Sequence, residues 1–157
     1  MRKRIITPVQ QETASPDLAW LNLERLAEVE ITSEDAAHPI ESALLPVRAS
    51  GWRAAGPGKQ TIRLLFDDPQ RLQRIWLNFV ETRTERTQEY VLRWSPDGGQ
   101  SFREIVRQQW NFSPHGASRE TEDHHVELSD VTVLELSINP HTGGGDAIAS
   151  LAQLRLA

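Results

Sequence analysis

Tyr90-Val91-Leu92-Arg93-Trp94-Ser95-Pro96-Asp97-Gly98-Gly99-Gln100-Ser101-Phe102 is the most informative stretch of this chain. Tyr90, Leu92 and Trp94 alternate with Val91 and Arg93, which is the two-residue period of a half-buried strand. Ser95 to Gly99 then supplies the proline, aspartate and glycines of a tight reversal. The same alternation recurs on both sides. Ile62, Leu64 and Phe66 alternate with Thr61, Arg63 and Leu65; Ile75, Leu77 and Phe79 alternate with Arg74, Trp76, Asn78 and Val80; Leu134, Leu136 and Ile138 alternate with Val133, Glu135 and Ser137. Weaker strands fit Val29 to Thr32, Phe102 to Gln109, Asp123 to Leu128 and Ser150 to Leu156. About eight strands joined by turn sequences describe an all-β chain, an antiparallel β-sandwich of jelly-roll type. One short helix precedes them, about residues 16–26, because Ser15 offers a cap, Pro16 a first helical position and Asp17 an acid in the first turn.

The 157 residues suffice for one domain with its own core. We assign an N-terminal tail to residues 1–14 and a single sandwich, with its helix, to residues 15–157. Hydrophobic residues are 38% and charged residues 25%, a composition neither disordered nor membrane-like. With no cysteine there is no disulfide frame and no thiolate nucleophile or metal ligand. The basic start Met1-Arg2-Lys3-Arg4 is followed by an apolar stretch of only two residues before Thr7-Pro8, so it does not read as a secretory signal, and the expected location is cytoplasmic. Net charge is −5, and three of the 17 basic residues lie in the first four positions. The remainder is more acidic still, which argues against general binding to nucleic-acid phosphates.

The connections differ in length. Asp67 to Gln70, Ser95 to Gly99 and Ser129-Asp130 are compact turn sequences; Ser33 to Lys59, Glu81 to Thr87, Trp110 to Glu122 and Asn139 to Ile148 are longer and chemically richer. With successive strands antiparallel, the short turns gather at one end and the long connections at the other, and the long end is where ligand-binding loops belong.

Laid out this way, residues Val29 to Ala157 resemble the discoidin, or coagulation-factor type C (F5/8 type C), branch of the galactose-binding-like sandwiches. The resemblance rests on Gly51-Trp52, on Gln60 to Asp67, on Ile75-Trp76-Leu77-Asn78-Phe79, on Tyr90 to Phe102 and on the closing Ala149 to Leu156. It implies a galactose-binding-like jelly roll and a non-catalytic module that binds carbohydrate or another small polar ligand through loops at one end. Two departures speak against extracellular adhesion: the missing cysteines, and Thr132 to Ile138 in a strand where many members carry an arginine. A narrower stretch, Trp52-Arg53-Ala54-Ala55 with Gly58 to Ile62, is similar to the N-terminal domain of the eukaryotic single-strand-break repair scaffold, of the same fold group. It implies the alternative reading, an intracellular protein-interaction or repair-like scaffold domain.

Five tryptophans invite comparison with sugar-stacking platforms. Trp94, Trp52 and Trp20 read as core or docking residues, Trp76 as covered by the N-terminal helix, and Trp110, opening a long connection, as the aromatic anchor of the rim. Arg86 and then Arg83 are candidate fork donors to hydroxyls or anions. His38 and His141 complete the candidate ligand-binding set. Glu122-Asp123-His124-His125 has metal-ligand types, but alternation points the two histidines to opposite faces, so no metal is assigned. Glu34, Asp35 and Glu41 match no calcium-loop spacing, and His141-Thr142-Gly143-Gly144-Gly145-Asp146 is no phosphate loop. No nucleophile motif or acid/base pair appears, and neither cofactor, catalytic residue nor membrane partner is expected.

Overall fold

The computed structural model describes residues 20–46 and 50–157. Its elements in chain order are α1 (Leu23–Leu26), β1 (Ala27–Ile31), α2 (Glu41–Leu44), β2 (Trp52–Pro57), β3 (Gln60–Val80), β4 (Arg86–Ser95), β5 (Arg103–Phe112), β6 (Arg119–Asn139), β7 (Ile148–Leu151) and β8 (Gln153–Leu156). All pairings are antiparallel. The first half of β3 and the second half of β6 sit in a five-stranded sheet, β1-β3-β6-β4-β5, while their other halves continue into a three-stranded sheet with β8. β2 and β7 pair separately.

β3 and β6 are each 21 residues long, because two sequences expected to be turns are corners inside continuous strands. Between Leu65↔Val133 and Gln70↔Val131, β3 advances five residues and β6 two, and β6 makes up part of the difference before Arg74↔His125. Extra residues on one side of a ladder bend it sharply. Asp130, with φ of 58°, is the non-glycine residue among those described that takes the left-handed conformation, and it lies in this corner. Asp67 to Gln70 and Ser129-Asp130 therefore turn a strand from one sheet to the other without reversing the chain. The eight strands match the expected number through compensation: four expected strands merge into two, β2 is added, and the closing strand divides at Ala152 into β7 and β8.

Of the helix expected over residues 16–26, only residues 20–26 are described, and they hold one helical turn. Residues 1–19, which include the expected tail and helix start, lie outside the described residues; Trp20 to Asn22 are not helical, and α1 is a single turn. Trp20 nevertheless docks as expected: it is buried, its ring lies 6.5 Å from that of Trp76, and the Arg74 guanidinium stacks 4.9 Å from its centre. Among the described residues, Trp76 is thus covered by Trp20.

The inward faces of the two sheets form the core, with Ile62, Leu64, Tyr90, Leu92, Leu134, Leu136 and Ile138 on one side and Ile75, Leu77, Phe79, Leu154 and Leu156 on the other. These are the alternating sets read from the sequence, and Trp94 and Trp52 are buried with them. At the turn after β4, Asp97 accepts hydrogen bonds from the hydroxyls of Ser101 and Ser95 and from the Ser101 N–H, which hold its carboxyl down at about 2.

Glu135 points to the outer face of the five-stranded sheet yet is only 2% exposed. Its cross-strand neighbours Arg63 and Arg93 each donate to it at 2.8 Å, and Phe102 lies against both guanidinium groups. Burial pushes this carboxyl up, but the two arginines outweigh that and hold it below its ordinary 4.5. Such a group stabilises the fold above its unfolded-state value and loses that contribution as pH falls through the lowered folded value. Glu135→Gln should cost about 1–3 kcal/mol at neutral pH, the range for a charge-assisted hydrogen bond lost from a buried site. It should also flatten the fall in stability below pH 4.5. Urea midpoints of both proteins across acidic pH check this; parallel curves would show that Glu135 is not the acid-sensitive group.

Candidate functional site

Because β3 and β6 fold over at their corners, both ends of their ladder come to the same end of the sandwich. There the β3–β4 connection (residues 81–85), the β6–β7 connection (residues 140–147) and the segment between β1 and β2 surround a cavity of about 700 Å³. The turn between β4 and β5 is at the opposite end, where the Gly98 N–H donates to Thr132 Oγ1 beside the β6 corner. The division into a short-turn end and a long-loop end is as the sequence implies, although two of the short turns are strand corners.

Glu81 shapes the first loop. One carboxylate oxygen accepts the backbone N–H groups of Arg83 (3.1 Å) and Thr84 (3.4 Å), and the other accepts Arg86 Nε at 2.7 Å. Burial pushes its carboxyl up, but Arg86 and these N–H donors more than offset it, so Glu81 stays ionised and fully engaged. Arg86 Nη1 donates in turn to the Pro140 carbonyl (2.8 Å) and to Gln88 (3.1 Å), with the guanidinium stacked 4.7 Å from the centre of Phe112. One buried cation therefore ties the β3–β4 loop to the β6–β7 loop.

His141 is held by the first residues of β4. The Thr87 N–H donates to its Nδ1 at 3.1 Å, and the Thr142 N–H donates to the Thr87 carbonyl at 2.8 Å. A ring that accepts at Nδ1 carries its proton on Nε2, so His141 offers an N–H donor. The loop then turns through Gly144 and Gly145, with φ of 81° and 93°, a conformation glycine adopts without penalty. Across the cavity, His38 Nδ1 lies 3.3 Å from Asp35, whose carboxyl is held low first by the Ala37 N–H and then by His38. Trp52 forms part of the wall, but it is only 1% exposed and its indole N–H is spent on the Ser33 carbonyl, so it presents no open stacking face.

Of the five candidate residues, the cavity gathers His38, Arg83 and His141. The other two stand elsewhere. Arg86 is not at the rim: its side chain is fully buried behind the loops and holds them in place. Trp110 does not open a loop: it lies within β5, paired with Gln88 of β4, half-buried against the core with its indole N–H buried. Sequence reasoning missed Arg53, Glu81 and Asp146, which also line the cavity. Arg53 carried a legible signal, since alternation from buried Trp52 turns it outward; Glu81 carried none, because its role depends on the tight turn that follows.

The remaining polar groups lie away from this cavity. His124 faces inward and meets the Tyr90 hydroxyl at 2.7 Å, while His125 is exposed beside Asp123, which confirms their opposite faces. Burial lowers His124 and raises Tyr90. Glu120, buried beside Gln88, is pushed up to about 8 by burial and by neighbouring Glu122. Glu34 accepts the Ile40 N–H, and among the described residues no three His, Asp or Glu side chains are grouped to hold a metal.

These placements separate the variants. Arg86→Met leaves the Glu81 carboxylate without its cation in a largely buried site and should cost about 3–5 kcal/mol. Trp110→Ala should cost at least about 2 kcal/mol, because its ring packs on the core. Arg83→Ala, at an exposed loop position, should stay within about 0.5 kcal/mol of the parent. Guanidinium midpoints decide the order; an Arg86→Met protein as stable as Arg83→Ala would contradict the clamp.

No protein-family model matches the chain, and no curated protein matches it. Solved structures do. A family 32 carbohydrate-binding module (CBM32-3) from a family 31 glycoside hydrolase of Clostridium perfringens superposes with a TM-score of 0.65 at 16% identity, covering 92% of this chain and 97% of that one. The family 32 module of C. perfringens NanJ, in complex with galactose, gives 0.60 at 14% identity over 83% and 92% of the two chains. The family 32 module of AlyQ, in complex with 4,5-unsaturated mannuronic acid, gives 0.61 at 12% identity over 84% and 95%. At these identities the likeness is one of fold, and the chain has the galactose-binding-like β-sandwich fold.

Proposed function

We propose that this chain is a non-catalytic carbohydrate-binding module that holds a sugar in the loop-end cavity. The observation that carries the reading is the cavity itself: about 700 Å³ at the long-loop end, bringing together His38, Arg83 and His141 from three separate connections. Preformed concave sites with a few fixed polar groups are where small ligands bind. His141 is the most firmly positioned of these donors, because the Thr87 N–H fixes its tautomer. The solved neighbours support the reading, since structures of the same fold are described with galactose and with an unsaturated uronic acid bound.

Binding, not turnover, suits this wall chemistry. The Glu81 carboxylate is engaged by three donors, one of them the Arg86 cation, which makes it a poor general base. Without an open aromatic face, affinity depends on hydrogen bonds and charge, so weak binding follows, with Kd of roughly micromolar to millimolar.

Calorimetric titration with a panel of neutral and acidic oligosaccharides tests this. At least one sugar class should bind saturably, and His141→Ala should weaken that binding about tenfold or more while leaving the melting temperature nearly unchanged. Absence of binding to every class, or binding untouched by His141→Ala, would contradict the assignment.

A further inference from the structure

The cavity wall presents two exposed guanidinium groups on a chain that is acidic overall. The protein as a whole is at −5, yet both arginines of the wall, Arg53 and Arg83, are exposed and donate no side-chain hydrogen bond among the described residues. Arg53 helps to lower the Asp35 carboxyl without a hydrogen bond to it, and the backbone N–H of Arg83 donates to Glu81. The two acids of the wall do not cancel them equally. Glu81 is already matched by buried Arg86, whereas Asp146 is exposed and opposes the arginines with a single charge. The N–H of His141 adds a neutral donor, so the wall offers several donors beside its two guanidinium groups.

We infer that the sugar this cavity prefers is anionic, its carboxylate or sulfate group received by Arg83 with Arg53; the inference rests on the carbohydrate-binding reading above. Planar guanidinium groups donate paired hydrogen bonds to such oxyanions, and these two, with no side-chain hydrogen bond among the described residues, need not surrender one to bind. A missing stacking face points the same way: with Trp52 closed off, a neutral sugar finds hydroxyl contacts alone, and an acidic one adds charge-assisted bonds.

The test titrates the whole chain with three probes of matched length: a neutral galactose oligomer, a galacturonate oligomer and a sulfated galactose oligomer. At low ionic strength one of the acidic probes should bind at least about tenfold more tightly than the neutral one. The advantage should shrink in about 0.5 M salt, where exposed charges are screened. Arg83→Gln should abolish the advantage by weakening the acidic probes far more than the neutral one, and Asp146→Asn should enlarge it by removing the opposing charge. Whichever acidic probe binds better identifies the anion. If the neutral oligomer binds as tightly as both acidic ones, the charge inference fails and the carbohydrate reading stands. If none of the three binds while another sugar of the wider panel does, the charge inference fails alone; if nothing in the panel binds, both fail.

Discussion

The ladder between β3 and β6 is the constraint on which the rest of the molecule depends. Two 21-residue strands pair along their length, and displaced residues at one corner turn both from the five-stranded sheet into the three-stranded one. A two-stranded ladder folded over on itself brings its two ends together. Val80, leading out of β3, and Asn139, leading out of β6, thus launch their loops at the same end of the sandwich, although they lie at opposite ends of the ladder. Nothing in the loops themselves could produce this meeting.

Once together, the loops are fixed by polar contacts that become strong only because they are buried. Arg86 reaches Glu81 on one side and the Pro140 carbonyl on the other, with its guanidinium covered by Phe112. A buried cation held through its Nε and Nη1 resists displacement, since a broken contact there leaves an unpaired charge away from water. The exposed arginines, Arg53 and Arg83, cost little to hold and remain available. Burial therefore divides the basic residues of this end into one that builds the site and two that face its contents.

The fold was largely legible because alternation is a local signal. Tyr90, Leu92 and Trp94, and likewise Leu134, Leu136 and Ile138, declare their buried face without reference to any other strand, and the structure buries them. What local reading could not distinguish was a turn from a corner: Asp67-Asp68-Pro69-Gln70 has turn composition, and only the pairing with β6 shows that the strand continues. The same limit governed the site. His38, Arg83 and His141 come together because they lie in long connections, which do converge. Arg86 opens β4 and Trp110 lies inside β5, so both belong to strands that the sequence did not extend far enough. Alternation from Tyr90 back through Gln88 points Arg86 inward, a signal outweighed in the sequence by the charged run around it.

The claim that the long-loop end is the sugar site is tested most directly by mapping a bound sugar onto the protein by NMR. With a binding oligosaccharide at saturation, the account predicts shifts clustered at Arg83, at His141 and the following glycines, and at His38, with β5 and the corner around Asp130 unmoved. Shifts concentrated on β5 around Trp110, or at the Ser95 to Ser101 turn, would contradict it.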